Sequence, residues 1–225
     1  MGATLKSIKS PDRVAAGPSR IPFIKPRLRD KKGDDIEVGG LLFEDKQEPR
    51  FQFLSPGGGR IDDIRFGPRR VIEQIVITLA RDESQVNFPT LTDKSLATIA
   101  RSELVNMIMT GGIWPLIRAL PFRDIPDPDT QPPMIFISLD DTEPFQTAPE
   151  IYLAGNEALF DFGVRVLKRL SETVYVTAPK ENARIQKCLN GHINLDYTGR
   201  YPAGDPGVLL YHVKTTSAEN NSWFI

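Results

Sequence analysis

The sequence is poor in the residues that most often carry chemistry. Cysteine occurs once, as Cys188, and histidine twice, as His192 and His212. A single thiol excludes an internal disulfide, and the two histidines beside it do not make a Cys/His set for zinc, so no metal site is expected. A catalytic histidine is not expected either. Long apolar runs are missing too: the longest uncharged stretch, Leu104 to Ile117, has 14 residues and includes Asn106, Gly111, Gly112 and Pro115. A bilayer-crossing helix needs about 20 mostly apolar residues. The amino terminus has no apolar run of the signal-peptide kind, and Lys6 stands where a myristoylation signal wants Ser or Thr, so a cytoplasmic location is expected. Three motifs are absent as well: the Gly-x-Gly-x-x-Gly turn, the Gly-Lys-Ser/Thr phosphate loop and the Gly-x-Ser-x-Gly elbow. The common dinucleotide, nucleoside-triphosphate and serine-hydrolase sites therefore have no support.

What is present describes a folded chain. Of 225 residues, 40% are apolar and 25% charged, which fits neither disorder nor a disulfide scaffold and allows one to two domains. The 19 prolines exceed the usual share of about 5% and call for many ordered loops. A net charge of −1 hides an asymmetry: residues 1–32 carry nine Lys/Arg against Asp12 and Asp30, a balance of +7, and the remainder carries −8. Residues 1–30 thus read as a basic arm, a solvated and partly disordered leader. Alternatively, the arm biases the protein toward anionic lipid or an acidic partner. With Phe23 as its only aromatic, it lacks stacking platforms for nucleic acid, which is not expected as a partner.

From residue 31 to 92, short runs alternate with turn signals: Lys32-Gly33-Asp34-Asp35, Gly39-Gly40, Leu41-Leu42-Phe43, Phe51-Gln52-Phe53-Leu54, Gly57-Gly58-Gly59 and Val71 to Leu79. This spacing predicts a small all-β unit, with the three glycines as a tight hairpin turn. From about residue 93 to 225 the period changes. Leu104, Val105, Ile108 and Met109 predict a helix capped by Ser102 and ended by Gly111-Gly112. Met134 to Leu139, the stripe Leu159, Phe162, Gly163, Val166, Leu167 and Leu170, and Val174 to Val176 predict a strand, helix, strand crossover between parallel strands. Gly163 within the stripe predicts a helix backbone close to the sheet. Ile193 to Tyr197 and Val208 to Val213 read as further strands. Asp140-Asp141 falls where the first parallel strand ends, the edge at which open α/β sheets bind ligands. An Asx-type turn with Thr142 and Pro144 explains it, and an acidic ligand contact is the alternative.

Gly40 to Lys46, with Gly33-Asp34, Ser55-Pro56 and Gly59-Arg60-Ile61 around it, resembles the hammerhead of biotinyl and lipoyl carrier domains. There an Asp-Lys pair at a hairpin tip holds the cofactor arm, and Asp45-Lys46 echoes it. Pro49 and the longer spacing from Lys46 to Pro56 spoil such a tip, so an unmodified Lys46 is expected. Further blocks are more specific: Lys32-Gly33-Asp34-Asp35-Ile36, Leu42-Phe43-Glu44-Asp45-Lys46, Arg69 to Ile77, Gly112-Ile113-Trp114-Pro115-Leu116-Ile117-Arg118, Pro121-Phe122 and Tyr201-Pro202-Ala203-Gly204. In this order they resemble the family of the A component of the Na⁺-translocating NADH:quinone oxidoreductase. The resemblance implies a small barrel-sandwich-like β hammerhead followed by a Rossmann-like α/β domain related to flavin-binding respiratory subunits. It also implies a peripheral subunit on the inner face of the bacterial membrane, with membrane subunits as partners and ubiquinone as ligand. The family chain is about twice as long, so this sequence is expected to stop inside the α/β domain. Tyr201 stands where the family has a histidine.

After Gly112 the flavin-binding relatives have a glycine-rich loop, whereas this chain has Trp114, Pro115, Leu116, Ile117 and Leu120. Bulky side chains and a proline without N–H make no phosphate cradle, so no flavin, iron–sulfur or nicotinamide site is expected. An apolar ring fits better. Trp114, Leu116, Pro121 and Phe122 are candidate walls of a quinone site and Arg118 and Arg123 candidate donors to its carbonyls. Core packing is the alternative for Trp114 and Phe122, and a salt bridge for Arg118. Two other readings are an assembly module of the same complex and a lipoyl-type carrier.

Overall fold

A computed structural model describes residues 9–140, 146–189 and 191–225. The described residues form two compact units, one within 9–116 and one within 117–225.

The first unit contains β1 (Arg13–Ala16), β2 (Pro26–Leu28), β3 (Asp35–Ile36), β4 (Leu41–Asp45), β5 (Gln52–Leu54), β6 (Gly59–Phe66) and β7 (Ile72–Leu79), followed by α1 (Asp93–Thr98) and α2 (Arg101–Thr110). Two antiparallel sheets form, in the orders β1-β7-β6-β3 and β2-β4-β5. Ile61, Ile75 and Ile77 from one sheet and Leu42 and Phe43 from the other share one core cluster, with Leu28 and Phe53 packed on it. This is a sandwich, as the short punctuated runs predict. Phe43 and Phe53 stack across β4 and β5 at 4.6 Å, a cross-strand pair of the kind that stabilises sheets.

Two expectations change here. From Arg13 onward the supposed arm belongs to the fold, because β1 pairs with β7 and β2 with β4. Gly57-Gly58-Gly59 does not turn a hairpin: it carries the chain from β5 to β6, which lie in different sheets. The glycines are needed for close approach. A Cβ on Gly59, at φ +156, would collide with the Thr78 carbonyl, and one on Gly58 would lie 3.0 Å from the Ser84 carbonyl.

Helix α2 buries Leu104, Val105, Ile108 and Met109, but begins after Ala100, with no side-chain cap, so Ser102 lies inside it. Its end follows the expected glycine logic. Gly112 takes φ +68, the Ile113 N–H reaches the Ile108 carbonyl at 3.1 Å and the Gly112 N–H the Met109 carbonyl at 3.0 Å. Those two bonds form a Schellman motif.

The second unit contains β8 (Arg118–Ala119), β9 (Met134–Ser138), α3 (Pro149–Leu153), α4 (Glu157–Leu167), β10 (Thr173–Pro179), α5 (Ala183–Cys188), β11 (Leu195–Tyr197), α6 (Pro206–Val213) and β12 (Trp223–Phe224). One sheet runs β11-β10-β9-β12-β8. The first four strands are parallel and β8 is an antiparallel edge. The expected crossover is present as β9-α4-β10. Phe136, Met134, Tyr197, Leu209 and Leu210 cluster on one side, while Ile135, Ile137, Val174 and Val176 are buried as well, the composition of strands covered on both faces.

The helix stripe differs in detail. Val164 is the buried residue of α4, Leu159 is 72% exposed, and nothing lies within 4 Å of a Cβ added to Gly163. Gly163 therefore marks no close contact with the sheet. Val208 to Val213 is helix α6, not a strand. Asp205 accepts the Gly207 N–H at 2.8 Å, with Pro206 in the first turn, and this cap together with burial of Leu209 and Leu210 outweighs the β-branched composition.

Candidate functional site

In the second unit, one row of residues crosses the sheet. Register places Tyr175 beside Phe136, Phe136 beside Phe224, and Phe224 beside Arg118. Neighbours in register share a sheet face, so three aromatic rings lead to a guanidinium on the edge strand. Tyr175 and Phe136 stack at 5.4 Å. Arg118 is half-buried, and its Nη1 is closed off from solvent with no hydrogen-bond partner among the described residues. Burial pushes the Arg118 pKa down, with Asp124 acting in the opposite direction.

A tight turn follows. The Ala119 N–H donates to the Asp124 carbonyl at 2.8 Å and the Arg123 N–H to the Ala119 carbonyl at 2.7 Å. Within it, Leu120-Pro121 is cis and Arg123 has φ +60. Phe122, at the tip, is 76% exposed. The Arg123 guanidinium sits 5.6 Å from the centre of the Phe224 ring and is ion-paired with Asp205. Two guanidinia therefore flank Phe224, one by strand register and one by stacking.

Asp205 joins this turn to the carboxyl edge of the parallel strands. Just past β9, Asp140 accepts the Tyr197 hydroxyl at 2.8 Å. Gly204 packs so tightly on this pair that a Cβ would collide with Tyr197 Oη and lie 2.8 Å from the Asp140 carboxyl carbon. This explains the glycine of the Tyr201-Pro202-Ala203-Gly204 block. Asp140 thus accepts a hydrogen bond from a tyrosine; Asp141, Thr142 and Pro144, and with them the expected Asx-type turn, lie outside the described residues. Tyr197 and Asp205 carried no local signal beyond the Asp-Pro pair that opens α6.

Of the six candidate quinone residues, Arg118, Pro121, Phe122 and Arg123 lie in this strand and turn. Trp114 and Leu116 belong to the first unit, in the short 3-10 turn after α2, where Trp114 has no exposed surface and Leu116 is 63% exposed. The peptide groups of that turn are largely occupied. Ile113 N–H bonds to Ile108 and Leu116 N–H to Ile113, at 3.1 and 2.9 Å, and Pro115 has no N–H.

The other sequence features have local tasks. Asp45 is buried and its Oδ1 accepts the backbone N–H of Lys25 at 2.8 Å and of Gln47 at 3.2 Å, while Lys46 is exposed. His192 lies edge-on to Phe160, 5.9 Å between centroids, and His212 edge-on to Tyr211 at 5.4 Å. Among the described residues no group of three or more His, Cys, Asp or Glu is placed to hold a metal ion.

Comparison with known proteins agrees with the two-part architecture. Residues 2–80 match the family model of the NqrA N-terminal barrel-sandwich hybrid domain, and residues 99–225 that of the NqrA second alpha/beta domain. Curated relatives named as the NqrA component of Na(+)-translocating NADH-quinone reductase include that of Pseudomonas aeruginosa, 30% identical over 200 residues, covering 89% of this chain and 44% of the relative. That of Klebsiella pneumoniae is 30% identical over 219 residues, 95% of this chain and 48% of the relative. That of Alcanivorax borkumensis is 27% identical over 203 residues, 90% and 45% respectively. The chain spans about half the length of the curated relatives it matches.

Proposed function

The chain belongs to the NqrA family, and on that premise we propose that it serves as the peripheral NqrA component of a Na⁺-translocating NADH:ubiquinone reductase. In this reading it sits on the inner face of the bacterial membrane, with the membrane subunits as partners, and takes part in the quinone reduction that drives sodium transport. The observation that carries a quinone role is Arg118, whose buried Nη1, at the end of an aromatic row, has no acceptor among the described residues. An unmet buried N–H is costly, and a quinone carbonyl is an acceptor that brings its own apolar ring. Pro121 and Phe122 supply wall surface beside it, and Arg123 a second donor whose position Asp205 and Phe224 hold. In this reading the chain itself acts by binding and orienting a ring. A flavin is not proposed. The turn after Gly112 offers a proline and already bonded amides, which support that exclusion.

The test is ubiquinone affinity and denaturant midpoint on Arg118→Ala, Phe122→Ala and Trp114→Ala. Arg118→Ala and Phe122→Ala are expected to weaken binding about tenfold, the worth of one hydrogen bond or one wall contact, with little change in midpoint. Trp114→Ala is expected to cost about 3 to 5 kcal/mol of stability, as for a buried tryptophan. Unchanged affinity in folded Arg118→Ala and Phe122→Ala removes the quinone site from this chain. The exposure of Phe122 and Leu116 then favours the second reading, an assembly module that docks on its partners through these side chains.

A further inference from the structure

The β6–β7 pair is the longest hairpin of the first unit, with strands Gly59–Phe66 and Ile72–Leu79, and its end has an unusual composition. The loop is closed by the Gly67 N–H to the Val71 carbonyl at 2.8 Å and by the Val71 N–H to the Pro68 carbonyl at 3.2 Å. Inside it, Arg69 and Arg70 have φ of +56 and +59. Adjacent non-glycine residues in the left-handed region are uncommon, and such strain tends to persist where the side chains have a task. Both arginines are exposed, and neither has an acidic partner among the described residues. Phe66 and Val71 flank them at 50% and 48% exposure, with Pro68 exposed between. Nearby charges are otherwise engaged: Arg65 bonds to Asp63 and to Gln74 at 3.3 and 3.0 Å, and the Glu73 side chain lies against Gly67.

We propose that this tip, Phe66 to Val71, docks on an anionic lipid surface, with Arg69 and Arg70 on headgroup phosphates and Phe66 and Val71 at the acyl boundary. Charge selects an anionic occupant. Shape selects lipid over an acidic protein, because a stable protein interface takes about 800 Å² per partner, and a six-residue convex end offers little of that. A lipid interface accepts a small wedge of mixed aromatic and cationic side chains. The guanidinium fork matches phosphate oxygens. This goes beyond the quinone reading and does not depend on it.

The experiment is co-sedimentation of the full chain with phosphatidylcholine vesicles, with and without phosphatidylglycerol. Wild type is expected to bind only the anionic vesicles, more weakly as salt rises. Arg69→Gly with Arg70→Gly is expected to lose about five-fold per cation while its thermal midpoint holds or rises, since glycine adopts these φ values without strain. Phe66→Ser is expected to weaken the binding that survives at high salt. No binding by wild type, equal binding to neutral vesicles, or wild-type binding by the double glycine variant overturns the proposal. If vesicles are ignored and the double variant instead fails to join its membrane partner, the tip reads an acidic protein surface. Vesicles without quinone keep this failure separate from failure of the Arg118 site.

Discussion

Glu44 shows how one side chain changes the meaning of its neighbours. It is 1% exposed, in β4 next to the buried Asp45, and faces two guanidinia: Arg29 Nη2 at 2.8 Å from Oε2, and Arg27, which donates to Oε1. The Arg27 hydrogen bond, ahead of the opposing effect of burial and with the charges of Arg27 and Arg29, holds its carboxyl below the usual 4.5. A depressed carboxyl pKa contributes stability that is complete above the unfolded value and fades as pH falls through the folded one. Unfolding midpoints are therefore expected to drop below about pH 4.5 in wild type and to lose that component in Glu44→Gln. Replacing Arg27 and Arg29 together by Ala leaves the carboxylate buried and unpaired and is expected to cost on the order of 3 kcal/mol at neutral pH. A midpoint unchanged by that pair of substitutions would show the clamp to be idle. In the sequence, Arg27 and Arg29 look like free charges of an arm, because a partner 15 or 17 residues away leaves no local pattern.

Helix α6 carries the same lesson to the level of an element. Val208, Leu209, Leu210 and Val213 look like a strand by composition, and the deciding signal is the Asp205-Pro206 start just before them. Asp205 has two tasks that separate by atom: Oδ1 caps the Gly207 N–H and Oδ2 pairs with Arg123. Asp205→Asn keeps a cap and weakens the ion pair, so it is expected to change stability by a few tenths of a kcal/mol. Asp205→Ala loses both and is expected to cost about 1 kcal/mol or more, with Arg123 released from its position. Thermal melts of the two variants check this, and equal costs would deny the cap its role. The β sandwich, the β9-α4-β10 crossover and the end of α2 were legible because periodicity and glycine placement are local. The row Tyr175, Phe136, Phe224, Arg118 was not. It is assembled by the strand order β10-β9-β12-β8, in which the last residues of the sequence are inserted between β9 and β8. Arg118 stands out from its block, but its aromatic neighbours and its unpartnered Nη1 leave no trace there.

Across the whole molecule, the charge asymmetry of the sequence survives folding only in part. Among the basic residues of positions 1–32, Arg27 and Arg29 are taken by Glu44, Arg13 lies 3.5 Å from Asp62, and Lys32 3.5 Å from Asp63. Lys9, Arg20, Lys25 and Lys31 have no carboxylate partner for their side chains among the described residues, so they, rather than the whole segment, are available to an anionic surface. Exposed ion pairs such as Arg13–Asp62 contribute little to stability, but they cancel charge as seen by a partner. Replacing Lys25 and Lys31 by Gln is thus expected to leave the thermal midpoint within about 0.5 kcal/mol of wild type. It should also weaken the proposed association with a membrane partner at low ionic strength. The difference should shrink as salt is raised, because the Debye length falls from about 30 Å at 0.01 M to about 8 Å at physiological salt. Association of the Gln variant and wild type, measured against salt, separates two roles for this charge. A gap that closes with salt assigns these lysines to long-range attraction, whereas a gap of constant size places them inside a desolvated contact, where screening does not reach.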